Sequence, residues 1–354
     1  MRDFHTNGRS AVFATNGMCA TSHPIGASVA VDILKQGGNA VDAAIAGALV
    51  LGICEPQMTG IGGDMFALIH PKPGADVMAL NASGRAPMAL GAERLRDQGK
   101  TGIGLGSVHS ITVPGAIDGF CTLSQDYGQL PLDQVLAPTI HYATEGVPVA
   151  PRVAFDWAEA ADRVQGSARD IYLQNGKAPE TAAVFRAPGQ AQVLRHIATH
   201  GRAGFYQGPV AQDMVDSLQS LGGLHTLDDF AQTKCTYHTP LSTTYHGVDM
   251  IEHPPNGQGA TALLMLNMMQ HFDWASMHPL GAERAHIEAQ IAKLAYDTRN
   301  RLLSDMDYMT RLNHMLDQTT AAKLVGLIDP NRAMPNATTI SEAIHKDTIY
   351  ITVV

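Results

Sequence analysis

The spacing of apolar and polar residues predicts helices in the first part of the chain. Apolar residues recur at helical intervals in S-V-A-V-D-I-L-K, and Gly37-Gly38 predicts the end of that helix. Asn39 is a favourable N-cap, and Asp42 places a carboxylate near the positive end of the next helix. This second helix is apolar nearly all round, which is typical of a buried helix.

Short runs of β-branched and apolar residues between turn residues predict strands. They are M-F-A-L-I-H after Asp64, V-M-A-L-N after Asp76, V-D-M-I-E from residue 248, and a final strand that opens at Thr348.

Longer periodic segments predict further helices, and the order of elements predicts the fold class. Residues 116–147 are predicted to be mainly helical, a helix covers about 260–270, and the longest runs over 282–303. Residues 310–345 are predicted to combine a short helix with an exposed loop, D-P-N-R-A-M-P-N. Regular βαβ spacing is missing, so we expect a single layered domain of the α+β class with mostly antiparallel strands.

Composition and charge narrow the class of function. Apolar residues make up 45% and charged residues 16%, which is typical of a globular protein. The net charge is -9 without any basic cluster, so a nucleic-acid partner is not expected. The longest apolar run, 40–54, is too short to span a bilayer, and the N-terminus lacks a secretory signal. Four scattered cysteines fit reduced thiols, so we expect a cytoplasmic protein without a membrane partner.

Glycine-rich and histidine-containing segments give little indication of chemistry. G-I-G-L-G-S at 102–107 and G-I-G-G-D at 60–64 lack complete nucleotide-binding motifs, which favours tight turns. The histidines have no zinc spacing, and chance accounts for His246 and His253 flanking a predicted strand, so no metal is predicted. Ser107 and His109 would point to opposite faces of a strand, which argues against a catalytic dyad.

Thr348 fits a specific mechanism. It follows Asp347 and opens a strand, as expected for a hydroxyl nucleophile that becomes an N-terminus by self-cleavage. Its hydroxyl would attack the preceding carbonyl, and water would cleave the resulting ester. The freed α-amine, with an unperturbed pKa of about 7.7–8.0, would then act as the general base. A threonine at this position is also simply a good strand former.

Four longer motifs occur in order between Gly17 and the C-terminus. They are G-M-C-A-T-S-H-P continuing to G-I-G-G-D-M-F, then S-I-T-V-P-G-A-I-D-G-F, Y-G-Q-L-P-L-D-Q-V-L-A-P-T-I-H-Y-A-T-E-G-V-P-V and A-K-L-A-Y-D-T-R-N-R-L-L-S-D. Together they resemble the γ-glutamyltransferase (γ-glutamyltranspeptidase) family. The resemblance implies the αββα sandwich of the N-terminal nucleophile (Ntn) hydrolases. It also implies autocatalytic cleavage of a zymogen between Asp347 and Thr348, with Thr348 as the nucleophile.

The same resemblance implies a subunit organisation. Residues 1–347 correspond to the large subunit and 348–354 to the start of the small one. The family's oxyanion-hole glycines lie further along the small subunit, so we expect these 354 residues alone to be an inactive fragment that needs the missing small-subunit segment as its partner. No cofactor is expected, because the N-terminal amine supplies the base. The sequence leaves homo-oligomerisation open.

Departures from the family pattern leave the small-molecule substrate open. Ile349 and Tyr350 replace the threonine and histidine that follow the family's nucleophile. In L-N-A-S-G-R-A-P, Ser83 stands where the family has the arginine that binds the substrate α-carboxylate. Arg85 either reaches that carboxylate instead or is an ordinary surface arginine.

Three hypotheses follow for the function. The first is transfer or hydrolysis of γ-glutamyl groups from glutathione-type amides. The second is an acylase of the same fold that acts on glutaryl or cephalosporin-type amides. The third is a truncated, non-enzymatic remnant.

Overall fold

The computed structural model describes residues 11–104, 106–335 and 349–354. Their α-helices are α1 (Pro24–Lys35), α2 (Ala40–Cys54), α3 (Ala92–Asp97), α4 (Ala116–Tyr127), α5 (Leu132–Glu145), α6 (Pro151–Ala160), α7 (Ala168–Tyr172), α8 (Pro188–His200), α9 (Ala203–Tyr206), α10 (Gly208–Ser220), α11 (Leu227–Gln232), α12 (Gly259–Met269), α13 (Ala282–Leu302), α14 (Leu312–Leu316) and α15 (Gln318–Val325). Short 3-10 turns cover Val108–Ser110, Ala161–Arg163 and Trp274–Ser276.

The strands of the same residues are short. They are β1 (Cys19–Thr21), β2 (Met65–Ile69), β3 (Met78–Ala82), β4 (Val147–Pro148), β5 (Val184–Phe185), β6 (Thr236–His238), β7 (Leu241–Tyr245), β8 (Val248–Glu252) and β9 (Ile351–Val353). Antiparallel pairing joins β1 to β9, β3 to β6, β4 to β5 and β7 to β8, as predicted.

Local capping interactions define the first two helices. Gly37 adopts φ +93°, a left-handed conformation that ends α1, as predicted. Asn39 caps α2 by accepting from the N–H groups of Val41 and Asp42, while Asp42 accepts from the Asn39 N–H at 3.0 Å. The buried Asp42 carboxylate also accepts from the N–H groups of Gln129 and Leu130, so the cap ties α2 to the chain before α5.

The chain forms two compact units. The first comprises the described residues up to Met65, Ala82–Cys235 and the C-terminal strand, and its core includes α1, α2, α5 and α8. The second comprises Phe66–Asn81 and residues 236–335, with strand order β2-β3-β6, the β7–β8 hairpin and α12–α15. Its core is built on Leu264, Met268, Ile287, Ile291 and Leu294. The assignment of 1–347 and 348–354 to two subunit equivalents of one domain stays a prediction.

Several predicted boundaries differ from the structure. Residues 312–325 contain two helices rather than the one short helix predicted there, and Pro138 lies inside α5 without ending it. The predicted strand from Thr348 is observed from Ile351, while Thr348 itself lies outside the described residues. Across the described ranges, no helix is both long and apolar enough to cross a membrane. A cytoplasmic location stays a prediction.

Candidate active site

The strand that follows the predicted nucleophile is fixed in the first unit. In the antiparallel pair, Thr21 lies opposite Ile351. The Thr21 hydroxyl donates to the Tyr350 carbonyl at 2.8 Å. Met18 and Val354 exchange backbone hydrogen bonds of 2.9 and 3.1 Å at the other end of the pair. The backbone is therefore held as far as Tyr350, two residues after Thr348 in the sequence.

Helix α2 supports this strand through a glycine. A Cβ atom on Gly47 would lie 2.5 Å from Cδ1 of Ile351 and 3.4 Å from Cβ of Ala30. Because the glycine leaves this space open, Ile351 packs directly on the helix backbone. The small residues of α2 thus let a strand and a neighbouring helix approach it closely.

The second part of the candidate site is the loop after β3, which carries Ser83 and Arg85. Ser83 is half-buried and Arg85 is exposed. The Val113 N–H donates to the Arg85 carbonyl at 2.8 Å. Gly84, between the two predicted residues, has φ +76°, and a Cβ atom there would lie 1.8 Å from the Val113 carbonyl oxygen. The backbone at 83–85 is therefore held against the segment 113–115.

The Gly84→Ala substitution tests how tightly this loop is held. We expect Gly84→Ala to lower the unfolding free energy by about 1–3 kcal/mol more than Gly74→Ala does. The reason is that the new methyl group would collide with the backbone of Val113. Gly74 is a matched control, since its φ is +79° and a Cβ atom there would have no neighbour within 4 Å. Both variants carry the same left-handed strain. Urea denaturation measures the unfolding free energy of both variants. Equal losses would show that the contact with Val113 is not tight.

The segment 113–115 is itself anchored by the start of α4. The N–H groups of Gly115 and Ala116 both donate to the Gly63 carbonyl at 3.1 Å. The Tyr206 hydroxyl donates to the Pro114 carbonyl at 2.7 Å and accepts from the Asp118 N–H at 3.0 Å. The G-I-G-G-D segment is therefore a turn that packs on the start of α4, which confirms the preference for a tight turn there.

A buried ion pair stabilises this region. The carboxylate of the buried Asp118 accepts from Nε of Arg202 and, at 2.6 Å, from the Cys235 N–H. Arg202 also donates to the Thr233 carbonyl and lies over the Tyr206 ring, 4.5 Å from its centroid. One carboxylate thus joins α4, the start of α9 and the chain at residue 235. Sequence analysis missed this pair, although an aspartate in an otherwise apolar helix face was visible in A-I-D-G-F.

The two cysteines near this ion pair, Cys121 and Cys235, are not activated as nucleophiles. Burial, reinforced by the Asp118 carboxylate, raises the pKa of Cys121 to about 12. Burial also raises the pKa of Cys235 to about 11. Both thiols are protonated at neutral pH, so neither is a thiolate nucleophile. All four cysteines are free thiols.

The weaker candidates from the sequence do not form sites. Ser107 caps a 3-10 turn and accepts from the His109 N–H at 3.2 Å, so the predicted strand context was wrong. His246 lies in the turn of the β7–β8 hairpin, whereas His253 is buried just after β8, with Nε2 3.0 Å from the Leu80 carbonyl oxygen. Within the described ranges, no group of three or more metal-binding side chains is placed to hold an ion. Asp347 and Thr348 lie outside those ranges, so their proximity to Ser83 and Arg85 stays a prediction.

Solved structures share the fold. The chain aligns with the cephalosporin acylase from Bacillus halodurans with a TM-score of 0.87 and 34% identity, over 100% of this chain and 66% of that chain. It aligns with the Helicobacter pylori gamma-glutamyltranspeptidase with a TM-score of 0.85 and 26% identity, over 95% of this chain and 99% of that chain. The chain therefore has the α+β fold of the N-terminal nucleophile hydrolases, as predicted.

Sequence comparison defines the family within that class. The family profile described as Gamma-glutamyltranspeptidase matches residues 26–354. The glutathione hydrolase-like YwrD proenzyme of Bacillus subtilis (strain 168) is 33% identical over 320 residues, which cover 89% of this chain and 60% of that protein. The chain belongs to the gamma-glutamyltranspeptidase family. It spans less than two thirds of the length of this curated relative.

Proposed function

We propose that the protein to which these residues belong is a self-processing amidase whose nucleophile is the hydroxyl of Thr348. The observation that carries the proposal is the placement of β9, which pairs with β1, packs on α2 and begins three residues after Thr348. A strand held in this way gives firm support to the chain that follows Thr348 in the sequence, which favours a nucleophile at that position. Family membership supports the same assignment.

Amide turnover would proceed through an ester. The α-amine of Thr348 takes the hydroxyl proton while the hydroxyl oxygen bonds to the substrate carbonyl carbon. The carbon–nitrogen bond of the amide breaks, and the leaving amine takes a proton. Water, or an acceptor amine in the transferase reaction, then attacks the acyl–Thr348 ester and restores the hydroxyl.

A γ-glutamyl group is the first proposed acyl group, with Arg85 binding its carboxylate. Arg85 is exposed, and its backbone carbonyl accepts a hydrogen bond from the Val113 N–H, so its side chain extends from a positioned loop. A glutaryl group is the second candidate. The observation that favours it is the 34% identity of the chain to a cephalosporin acylase. The two acyl groups carry the same terminal carboxylate and differ only in the α-amine.

Three anilide substrates test this assignment on the complete protein. Arg85→Ala is expected to raise KM for γ-glutamyl and glutaryl anilides by roughly 10–100-fold, as for loss of a hydrogen bond to a charged group. Butyryl anilide, which has no carboxylate, should be unaffected. The exposed Arg94→Ala variant is the matched control.

Two results bear on the proposal separately. An unchanged KM for both charged substrates would remove Arg85 from the binding site. In the unmodified protein, the ratio of kcat/KM for the γ-glutamyl and glutaryl anilides decides between the two candidates, and a preference for glutaryl would favour the acylase.

A further inference from the structure

Asp229, near the start of α11, contacts the loop that carries Arg85. Its carboxylate oxygen Oδ1 accepts a hydrogen bond of 2.9 Å from the N–H of Met88, which follows Arg85 in the same loop. Asp229 and Met88 lie 141 positions apart, so this bond is a tertiary contact rather than part of a local turn. The Met88 side chain is 88% exposed, so the contact holds the loop by its backbone.

The other carboxylate oxygen of Asp229 is held within its own helix. Oδ2 accepts from the Thr226 N–H at 2.9 Å and from the Thr226 hydroxyl at 2.7 Å. The Asp229 N–H donates back to that hydroxyl at 3.2 Å, which completes a capping box. Burial raises the pKa of the Asp229 carboxyl, but the hydrogen bonds from Met88 and Thr226 lower it further, so the group is an oriented carboxylate at neutral pH.

His225, just before this capping box, holds the segment that supports the other side of the loop. The ring is buried, and its Nε2 lies 3.0 Å from the Ile111 carbonyl oxygen. Because a carbonyl oxygen only accepts, Nε2 carries the proton and donates. The Gln219 side chain of α10 donates to the His225 carbonyl at 2.8 Å, so the chain that leads into α11 is itself anchored.

These contacts form a closed circuit around the Arg85 loop. The segment 111–113 accepts from His225 at one end and donates to the Arg85 carbonyl at the other. Asp229 then holds Met88 directly. The loop is therefore tied at two points to the start of α11 and the residues before it. Removing the Asp229 carboxylate opens the circuit on one side and leaves the other side intact.

We propose that Asp229 is a positioning residue that sets the affinity for carboxylate-bearing acyl groups by holding the Arg85 loop through the Met88 N–H. The role rests on the proposed function, in which Arg85 binds the substrate carboxylate. A guanidinium binds a carboxylate in a bidentate geometry that depends on its exact placement. Without Asp229 the loop gains conformational freedom, which substrate binding then has to remove at an entropic cost. Asp229 itself touches no substrate.

Two variants remove the hydrogen bond from opposite sides. Asp229→Ala removes the acceptor. Met88→Pro removes the donor and leaves the capping box intact. The Leu90 N–H donates to the Pro87 carbonyl at 2.9 Å, so Met88 is the first central residue of a turn, a position that favours proline. The second variant therefore tests the same bond without any change to α11.

Two further variants are the matched controls. Asp229→Asn keeps an amide oxygen that can accept from the Met88 N–H. Thr226→Ala removes the side-chain cap of α11 and leaves the bond between Asp229 and Met88. All variants are made in the complete protein and assayed with γ-glutamyl, glutaryl and butyryl anilides. Steady-state kinetics give kcat and KM separately, and thermal unfolding reports the effect on stability.

The expected result is a rise in KM that is confined to the charged substrates. Asp229→Ala and Met88→Pro should each raise KM for the γ-glutamyl and glutaryl anilides by roughly 5–50-fold, with little change in kcat or in the KM of butyryl anilide. Asp229→Asn and Thr226→Ala should stay within about threefold of the unmodified protein, since both keep an acceptor for Met88. In the Arg85→Ala background, Asp229→Ala should add no further rise, because it acts through Arg85.

Several results would overturn this role of Asp229. An equal rise in KM for butyryl anilide, or for Thr226→Ala, would show that the substitution acts through the stability of α11 rather than through the Arg85 loop. If Arg85→Ala raises KM for the charged substrates and Asp229→Ala does not, only the positioning role fails. If Arg85→Ala leaves KM for both charged substrates unchanged, the binding role of Arg85 in the proposed function fails, and the role of Asp229 fails with it.

Discussion

Thr348→Ala is expected to leave the protein as one uncut polypeptide and to lower amide turnover by a factor on the order of 10⁴–10⁶, as for removal of a nucleophile. The substitution removes the hydroxyl that attacks the bond after Asp347. It thereby removes the nucleophile and, because no cut occurs, the α-amine that activates it. Intact mass and hydrolysis of γ-glutamyl and glutaryl anilides measure the two effects on one sample.

Thr348→Ser is the matched control for that experiment. Serine keeps the hydroxyl and loses only a methyl group, so cleavage and a substantial part of the turnover should remain. If alanine and serine had equal effects, the methyl group rather than the hydroxyl would be the important feature. If the alanine variant hydrolysed amides at the unmodified rate, Thr348 would not be the nucleophile.

Arg202→Ala is expected to lower the free energy of unfolding by about 3–5 kcal/mol, because it leaves a buried carboxylate without its partner. The Asp118 side chain is 4% exposed and that of Arg202 is 28% exposed. The same arginine binds the chain at Thr233 and lies over the Tyr206 ring. Tyr206 in turn holds the Pro114 carbonyl. We therefore expect the loss to disturb the segment that holds the Ser83–Arg85 loop.

Arg301→Ala is the matched control for the ion pair. Nε of Arg301 lies 2.9 Å from Asp297 one helical turn away, but the Arg301 side chain is 73% exposed. Solvent screens such pairs, so the expected loss is at most about 1 kcal/mol. Urea denaturation of both variants gives the comparison. Similar losses would contradict the role assigned to the buried pair.

Features that depend on neighbouring residues could be predicted from the sequence. The cap at Asn39 and Asp42 and the left-handed turn at Gly37 are local, so their residues were sufficient to place the end of α1 and the start of α2. Helix α13 was predicted for a similar reason, because its apolar stripe repeats over many turns.

Features that depend on distant contacts could not be predicted. Strand β1 has only three residues and exists as a strand because β9 pairs with it from the other end of the chain. A glycine is needed at residue 84 because the Val113 carbonyl leaves no room for a Cβ atom, and the pairing of Asp118 with Arg202 joins residues 84 positions apart. Pro138 is a helix breaker by propensity, yet α5 continues through it.

The candidate site shows the same division. Thr348 was proposed as the nucleophile because it follows Asp347 at the start of a predicted strand and because the motifs of the chain resemble one family. Ser83 and Arg85 were proposed as substrate-binding residues from their position in one motif that resembles the family.

Intact-mass analysis of the unmodified protein, expressed from its complete coding sequence and sampled over time, tests the central claim most directly. The account predicts two polypeptides whose masses place the cut between Asp347 and Thr348. Hydrolysis of acyl anilides should appear with the same time course as the second polypeptide. A single uncut chain that hydrolyses these amides at a steady rate from the first sample would contradict the account.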